Sequence, residues 1–171
     1  LVKENDAGKL NLNKLCIVGA ERGASVAASS AAYDWTTGRR DAHRRPAPSQ
    51  DVQGLFLMSP DWDFKGRPLK KPCDHPLVRR QISVMIVVGK DDSRALSDAR
   101  RLHNVIKRFH VDPATVDTDQ RDLWFIQLPT KLQGTKILGA QALRLEQAIA
   151  MFIKLRAVDQ PYPWYQRGSG K

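Results

Sequence analysis

The segment Cys16-Ile-Val-Gly-Ala-Glu-Arg-Gly-Ala-Ser sets an acid, Glu21, between Gly19 and Gly23, directly after an apolar run. Glycines on both sides of a central residue suit a very tight strand-to-helix turn. The first lets the chain turn, and the second lets the following helix pack close behind. Such a turn lifts Glu21 clear of a sheet and points it at a helix N-terminus, where backbone N–H groups and the helix dipole favour negative charge. A carboxylate placed there has three uses. It can cap or form a salt bridge on the surface, with Arg22 as the nearest cation. It can act as a nucleophile that forms an ester, provided a base activates the water that hydrolyses it. It can also bind a ligand.

Other residues able to do chemistry are scattered. Asp91 and Asp92 follow the run that ends at Gly89 and precede a helical pattern, so they and Ser93 are expected to cap that helix. Ser25 falls one turn inside the helix after Glu21, where a hydroxyl bonds back to a carbonyl. His43, His75, His103 and His110 lie in expected loops or on a helix, and Cys73-x-His75 supplies two metal ligands without the partners a site needs. Gly19-x-x-x-Gly23 lacks the Lys-Ser/Thr of a P-loop and the three-glycine spacing of a dinucleotide site. No metal and no cofactor are expected.

The elements that must position these residues are legible from hydropathy. Four runs, Lys14 to Gly19, Val52 to Ser59, Ile82 to Gly89 and Asp122 to Leu128, are nearly continuous in apolar residues, as strands covered on both faces are. Between and after them lie helical patterns over Gly23 to Trp35, Arg94 to Phe109 and Ala140 to Arg156, the second carrying Leu96, Ala99, Leu102, Val105, Ile106 and Phe109 at three- and four-residue steps. Strand and helix alternate, which predicts an α/β fold: a three-layer α/β/α arrangement around a mostly parallel sheet. Leu1 to Asp6 reads as the tail of a helix stopped at Ala7-Gly8. A single domain over residues 1–160 and a C-terminal tail over 161–171 are expected, the tail opening with a packed Pro-aromatic segment, Pro161-Tyr-Pro-Trp.

The order of these elements and the glycine-flanked turn resemble the C-terminal half of the α/β-hydrolase fold. The matching features are the turn at Glu21, a strand ending Met58-Ser59-Pro60, a strand ending Gly89-Lys-Asp-Asp92, a helix, a strand ending Leu128-Pro129 and a closing helix. The resemblance implies a partial α/β-hydrolase fold in which Glu21 stands where the family carries its nucleophile, usually Ser. Asp92 stands at the family's acid, and Gln133, in Gln133-Gly134, takes the place of the histidine. It also makes the Arg22 backbone the counterpart of an oxyanion donor. An amide can neither accept nor return a proton near neutrality, so Gln133 is not a general base. The resemblance therefore implies a catalytically degenerate domain with a binding or assembly role. The rival is an active esterase- or dehalogenase-like hydrolase using Glu21 as carboxylate nucleophile, as some relatives of this fold attack carbon–halogen or epoxide bonds. Glu21, Asp92 and Gln133 are expected to converge at the carboxyl ends of the strands, with Glu21 turning to Arg22 or taking up a proton more readily than a free Glu.

Composition bounds the partners. The 171 residues are 42% hydrophobic and 27% charged, a single domain's worth of globular sequence, and no run approaches the roughly 20 apolar residues of a transmembrane helix. Two cysteines make neither a disulfide framework nor a four-ligand zinc site. The net charge of +10 gathers in Arg39 to Arg45 and Arg67 to Arg80, stretches that read as solvated loops. A third function class, an anion- or nucleic-acid-binding module, would work through Arg39, Arg40, Arg44, Arg45, Lys70 and Lys71, although neither stretch has the aromatic residues of a single-strand nucleic-acid reader. Further strands are expected upstream of Leu1, leaving one sheet edge uncovered and the chain prone to self-association.

Overall fold

In the computed structural model the four apolar runs form one sheet, all parallel. The structure describes residues 1–36, 39–40, 46–47 and 49–168, excepting the side chains of residues 39–40, 46–47 and 67. The strands are β1 (Leu15–Ala20), β2 (Val52–Met58), β3 (Ser83–Gly89) and β4 (Leu123–Leu128), neighbours in that order. Gly19 sits beside Leu57, Leu57 beside Ile86 and Ile86 beside Phe125. The two central strands are buried at every position, which is why they read as continuous apolar runs.

Alternate residues of each strand serve two cores. Leu55, Leu57, Ile86 and Val88 face one side, where helix α2 (Arg22–Thr36) contributes Ala24, Ala27, Ala28 and Ala31 and helix α3 (Ser93–Ile106) contributes Ala99, Leu102 and Ile106. Phe56, Met58, Met85 and Val87 face the other, against Phe152 and Leu145 of helix α4 (Leu145–Ile153). The Phe152 ring meets Phe56 and Trp124 edge-on and leaves no room for a side chain at Gly54. Before the sheet lies a short helix α1 (Val2–Asp6), with Gly8 in the left-handed region at φ 72. No described helix is long and apolar enough to cross a membrane.

The closing helix differs from the single pattern expected over Ala140 to Arg156. A 3-10 turn, Gln141–Leu143, is separated from α4 by Arg144 in the left-handed region (φ 50). α4 then widens into a π-helical turn, Lys154–Val158, where Asp159 N–H donates to the Lys154 carbonyl at 2.8 Å. Residues Tyr162 to Arg167 return to the amino end of the sheet and are tied there by asparagines. Asn5 Nδ2 donates to the Tyr165 carbonyl at 2.9 Å and Asn11 Nδ2 to that of Tyr162 at 3.1 Å. Asn13 Nδ2 donates to the Pro163 carbonyl, and Arg167 bridges Asn13 and Asp51.

Candidate functional site

The carboxyl ends of the strands carry several residues in the left-handed region. Glu21 follows β1 in the left-handed region (φ 49), a conformation that costs a non-glycine residue roughly 1–2 kcal/mol. The surroundings hold it there. Its N–H extends the β1–β2 ladder to the Met58 carbonyl at 2.8 Å, and its carbonyl accepts from Ala24 N at 3.1 Å and Asp61 N at 3.4 Å.

The two flanking glycines have other roles than their spacing suggested. A Cβ on Gly19 would lie 2.7 Å from the Gly23 carbonyl oxygen and 2.8 Å from Ala24 Cα and Ala27 Cβ, whereas a Cβ on Gly23 would meet nothing within 4 Å. Gly19 is therefore what lets α2 pack against β1. Gly23 faces open space.

Gln133 reaches the same end of the sheet from the loop after β4, and its amide is fully engaged. Nε2 donates to the Gly89 carbonyl at 3.0 Å and the Lys131 carbonyl at 3.4 Å, while Oε1 accepts from Ser59 Oγ at 2.5 Å and Gly89 N at 3.4 Å. Two donor hydrogens and two lone pairs are all that such an amide has. By pairing with both polar groups of Gly89, the side chain imitates one more strand residue at the end of β3. Ser59 completes the clamp: buried, in the left-handed region (φ 46), it accepts from Gly134 N at 3.0 Å through the same hydroxyl. Ser59 carries no signal in the sequence beyond ending a strand, since its role depends on a residue 74 positions away.

Glu21 and this loop touch. Gly134 adopts φ 56, and a Cβ there would lie 2.8 Å from Glu21 Cγ and Cδ, so the exposed Glu21 side chain lies across the Gly134 backbone. Asp92 follows β3 at the same end of the sheet, but its Oδ1 caps α3, accepting from Arg94 N and Ala95 N at 3.0 Å each. Among the described residues no hydrogen bond or ion pair joins Asp92 to Glu21 or Gln133. Nor does Glu21 turn to Arg22. The Arg22 guanidinium points the other way, 4.0 Å from Asp61 Oδ2 and 5.2 Å above the Phe64 ring, because Asp61 and Phe64 lie in the loop that follows β2. Its backbone N–H belongs to the first turn of α2, where helices leave amide donors unfilled.

Most remaining candidates are structural. Ser25 Oγ is buried with no hydrogen-bond partner among the described residues, so it does not bond back along α2 as expected. His103 stacks on Phe125 with centroids 4.8 Å apart, and burial, reinforced by Lys107 and His110, holds its pKa below the ordinary value. The all but buried His110 side chain places Nδ1 3.0 Å from Asp122 Oδ2, at the amino end of β4. His75 Nδ1 accepts from Leu77 N at 3.4 Å within its own turn. Burial pushes the Cys73 thiol up to about 12 and Cys16 up to about 11. Among the described residues no group of three or more His, Cys, Asp or Glu side chains is placed to hold a metal. Of the basic candidates, Lys70 and Lys71 are exposed, while His43, Arg44, Arg45 and the side chains of Arg39 and Arg40 lie outside the described residues.

Compared with protein-family models, curated proteins and solved structures, the chain matches none.

The arrangement can therefore present one exposed carboxylate on a strained turn beside a locked loop. It offers no proton acceptor of the histidine type among the described side chains touching Glu21.

Proposed function

We propose that the chain is a catalytically silent domain built on an α/β-hydrolase-like scaffold, serving in binding or assembly. The observation that carries this reading is the saturated amide of Gln133: where the resemblance puts a mobile proton carrier, the chain has a side chain whose every hydrogen-bonding position fastens a loop to Gly89 and Ser59. Asp92, at the position of the acid, is engaged in capping α3. The left-handed Glu21 between β1 and α2 supports the scaffold half of the reading, since it is the backbone geometry that such a turn requires.

The exposed Glu21 carboxylate is what favours the rival, a carboxylate-nucleophile hydrolase. An assay with short-chain p-nitrophenyl esters and haloalkanes separates the two. The expected outcome is no turnover above the protein-free rate for the wild type. Turnover that Glu21→Gln abolishes would establish the rival and end the silent reading. The paired change Glu21→Ser with Gln133→His is expected to remain inactive as well, because removing the amide releases the loop that the histidine would need as its platform.

A further inference from the structure

A cleft of about 690 Å³ opens at the amino end of the sheet, between residues 49–53, the end of the short helix Val78–Gln81 and the returning tail. That size falls within the roughly 300–1,000 Å³ of small-molecule sites. Two features of the backbone shape its wall. Leu15 pairs with Val52 but Cys16 pairs with Gly54, so β2 carries one extra residue, Gln53, in its register with β1. A bulge of this kind re-aims a side chain, and here it sets an amide into the lining from a strand that has no other polar side chain. Beside it Gln50 is held in the left-handed region at φ 56. Asp34 supplies the grip: its carbonyl accepts from Ser49 N at 2.8 Å, and its carboxylate from Asp51 N at 2.8 Å and Val52 N at 2.9 Å. Backbone strain of about 1–3 kcal/mol persists only where the surroundings over-determine it, and it gathers at ligand clamps.

The Gln53 amide is 8% exposed and only partly used. Nε2 donates to the Gln50 carbonyl at 2.7 Å, and among the described residues nothing donates to Oε1. Leaving a buried acceptor unmatched costs about 1–3 kcal/mol. Gln50, Gln81 and Gln166 add three exposed amides from the turn, the helix and the tail, and among the described residues their side chains have no hydrogen-bond partner. Trp35, Tyr162 and Tyr165 also line the cleft. Among the described residues its lining holds one charged side chain, Arg167, and that one is committed: 6% exposed, it bridges Asn13 and Asp51.

We propose that this cleft binds a neutral carbohydrate, a mono- or disaccharide. An ionic ligand would lose its hydration there without a free countercharge among the described lining residues. What the lining offers instead is donors and acceptors side by side, since every carboxamide has both, and every sugar hydroxyl calls for both. A nucleobase carries its polar groups in one plane, along its edges. Amides that come from β2, a helix and the tail stand around the cleft, as hydroxyls stand around a pyranose. Aromatic residues with a polar tip suit the C–H surface that a pyranose presents between those hydroxyls. The cleft shares no lining residue with the turn at Glu21 or the loop at Gln133, so its occupancy is independent of whether that end of the sheet is catalytically silent.

Saturation-transfer NMR of the full chain with maltose, cellobiose, lactose and N,N′-diacetylchitobiose tests the proposal, with adenosine and a blocked dipeptide amide as competitors. At least one of the four sugars is expected to bind with a dissociation constant of about 1 mM or below. Gln81→Ala and Gln166→Ala, at exposed positions, are each expected to weaken that binding by roughly fivefold or more while circular dichroism stays unchanged. Gln53→Leu, which keeps the side chain's bulk, is expected to abolish it. Should Gln53→Leu fail to fold, the two exposed variants decide. Failure of all four sugars to bind overturns the proposal. So does sugar binding that the folded variants leave unchanged, or tighter binding of adenosine or the dipeptide amide, which would assign the cleft to a nucleobase or a peptide.

Discussion

The two ends of the sheet are closed by different means. At the carboxyl end closure is a matter of backbone: Gly19 admits α2, Glu21, Ser59 and Gly134 occupy the left-handed region, and the Gln133 amide stands in for main chain beside Gly89. At the amino end, asparagine side chains and an arginine hold a returning tail that has no regular structure. A backbone-closed end tolerates few residue types at a few positions, and the loop that seals it comes from 44 and 74 positions along the chain from the residues it clamps. A side-chain-closed end depends on partners from both ends of the described chain, and each of its bonds can be removed singly.

That contrast predicts a graded series of stabilities. Gly19→Ala is expected to cost most, about 3 kcal/mol in chemical denaturation, because the clash is with α2 backbone that cannot rotate away. Gln133→Ala should follow at about 2–3 kcal/mol, since it strands the buried Ser59 hydroxyl and frees both polar groups of Gly89. Asn5→Ala at the amino end should cost about 1–2 kcal/mol: the fully buried Asn5 also accepts from Leu12 N at 3.0 Å. If Asn5→Ala proves more damaging than Gly19→Ala, the contrast between the two ends is wrong. Gly23→Ala sharpens the comparison from the other side. With open space around it and a helical position, it is expected to be neutral or to add up to about 0.5 kcal/mol.

The smallest effect is a pH dependence. Cys16 and Cys73 ionise at about 11 and about 12 in the folded chain against 9.0 ordinarily, because burial opposes the thiolate. The unfolded chain loses these protons first. Their contribution to stability is therefore whole below pH 9.0 and declines as pH rises from there through the folded values. Melting temperatures followed from neutral to strongly alkaline pH should fall less steeply in a Cys16→Ala, Cys73→Ala variant than in the wild type.

Which features were legible in the sequence follows the same division. The strands were, to within a residue at most ends, because burial on both faces leaves a continuous apolar signature: Val52 to Ser59 was expected and Val52–Met58 is found. The glycine-flanked turn was legible as a turn, but it is Gly19, not Gly23, that lets α2 pack, while Gly23 faces open space and Glu21 takes the left-handed conformation; the symmetric spacing does not distinguish the two glycines, and only packing does. Asp92 was legible as a helix cap by its place before an amphipathic pattern. Ser59 and the asparagine clamps were not, because each acts on a partner far along the chain and nothing local marks it.

The asparagine clamps also bear on the order in which the chain comes together. Asn5 meets Tyr165 across 160 positions and Asn13 meets Pro163 across 150, loops among the longest this chain can close, whereas β1, α2 and β2 are near neighbours. Contacts at such separation are reached after the local ones are in place. The returning tail is thus a late latch: removing an asparagine should hasten unfolding while leaving the refolding rate nearly unchanged.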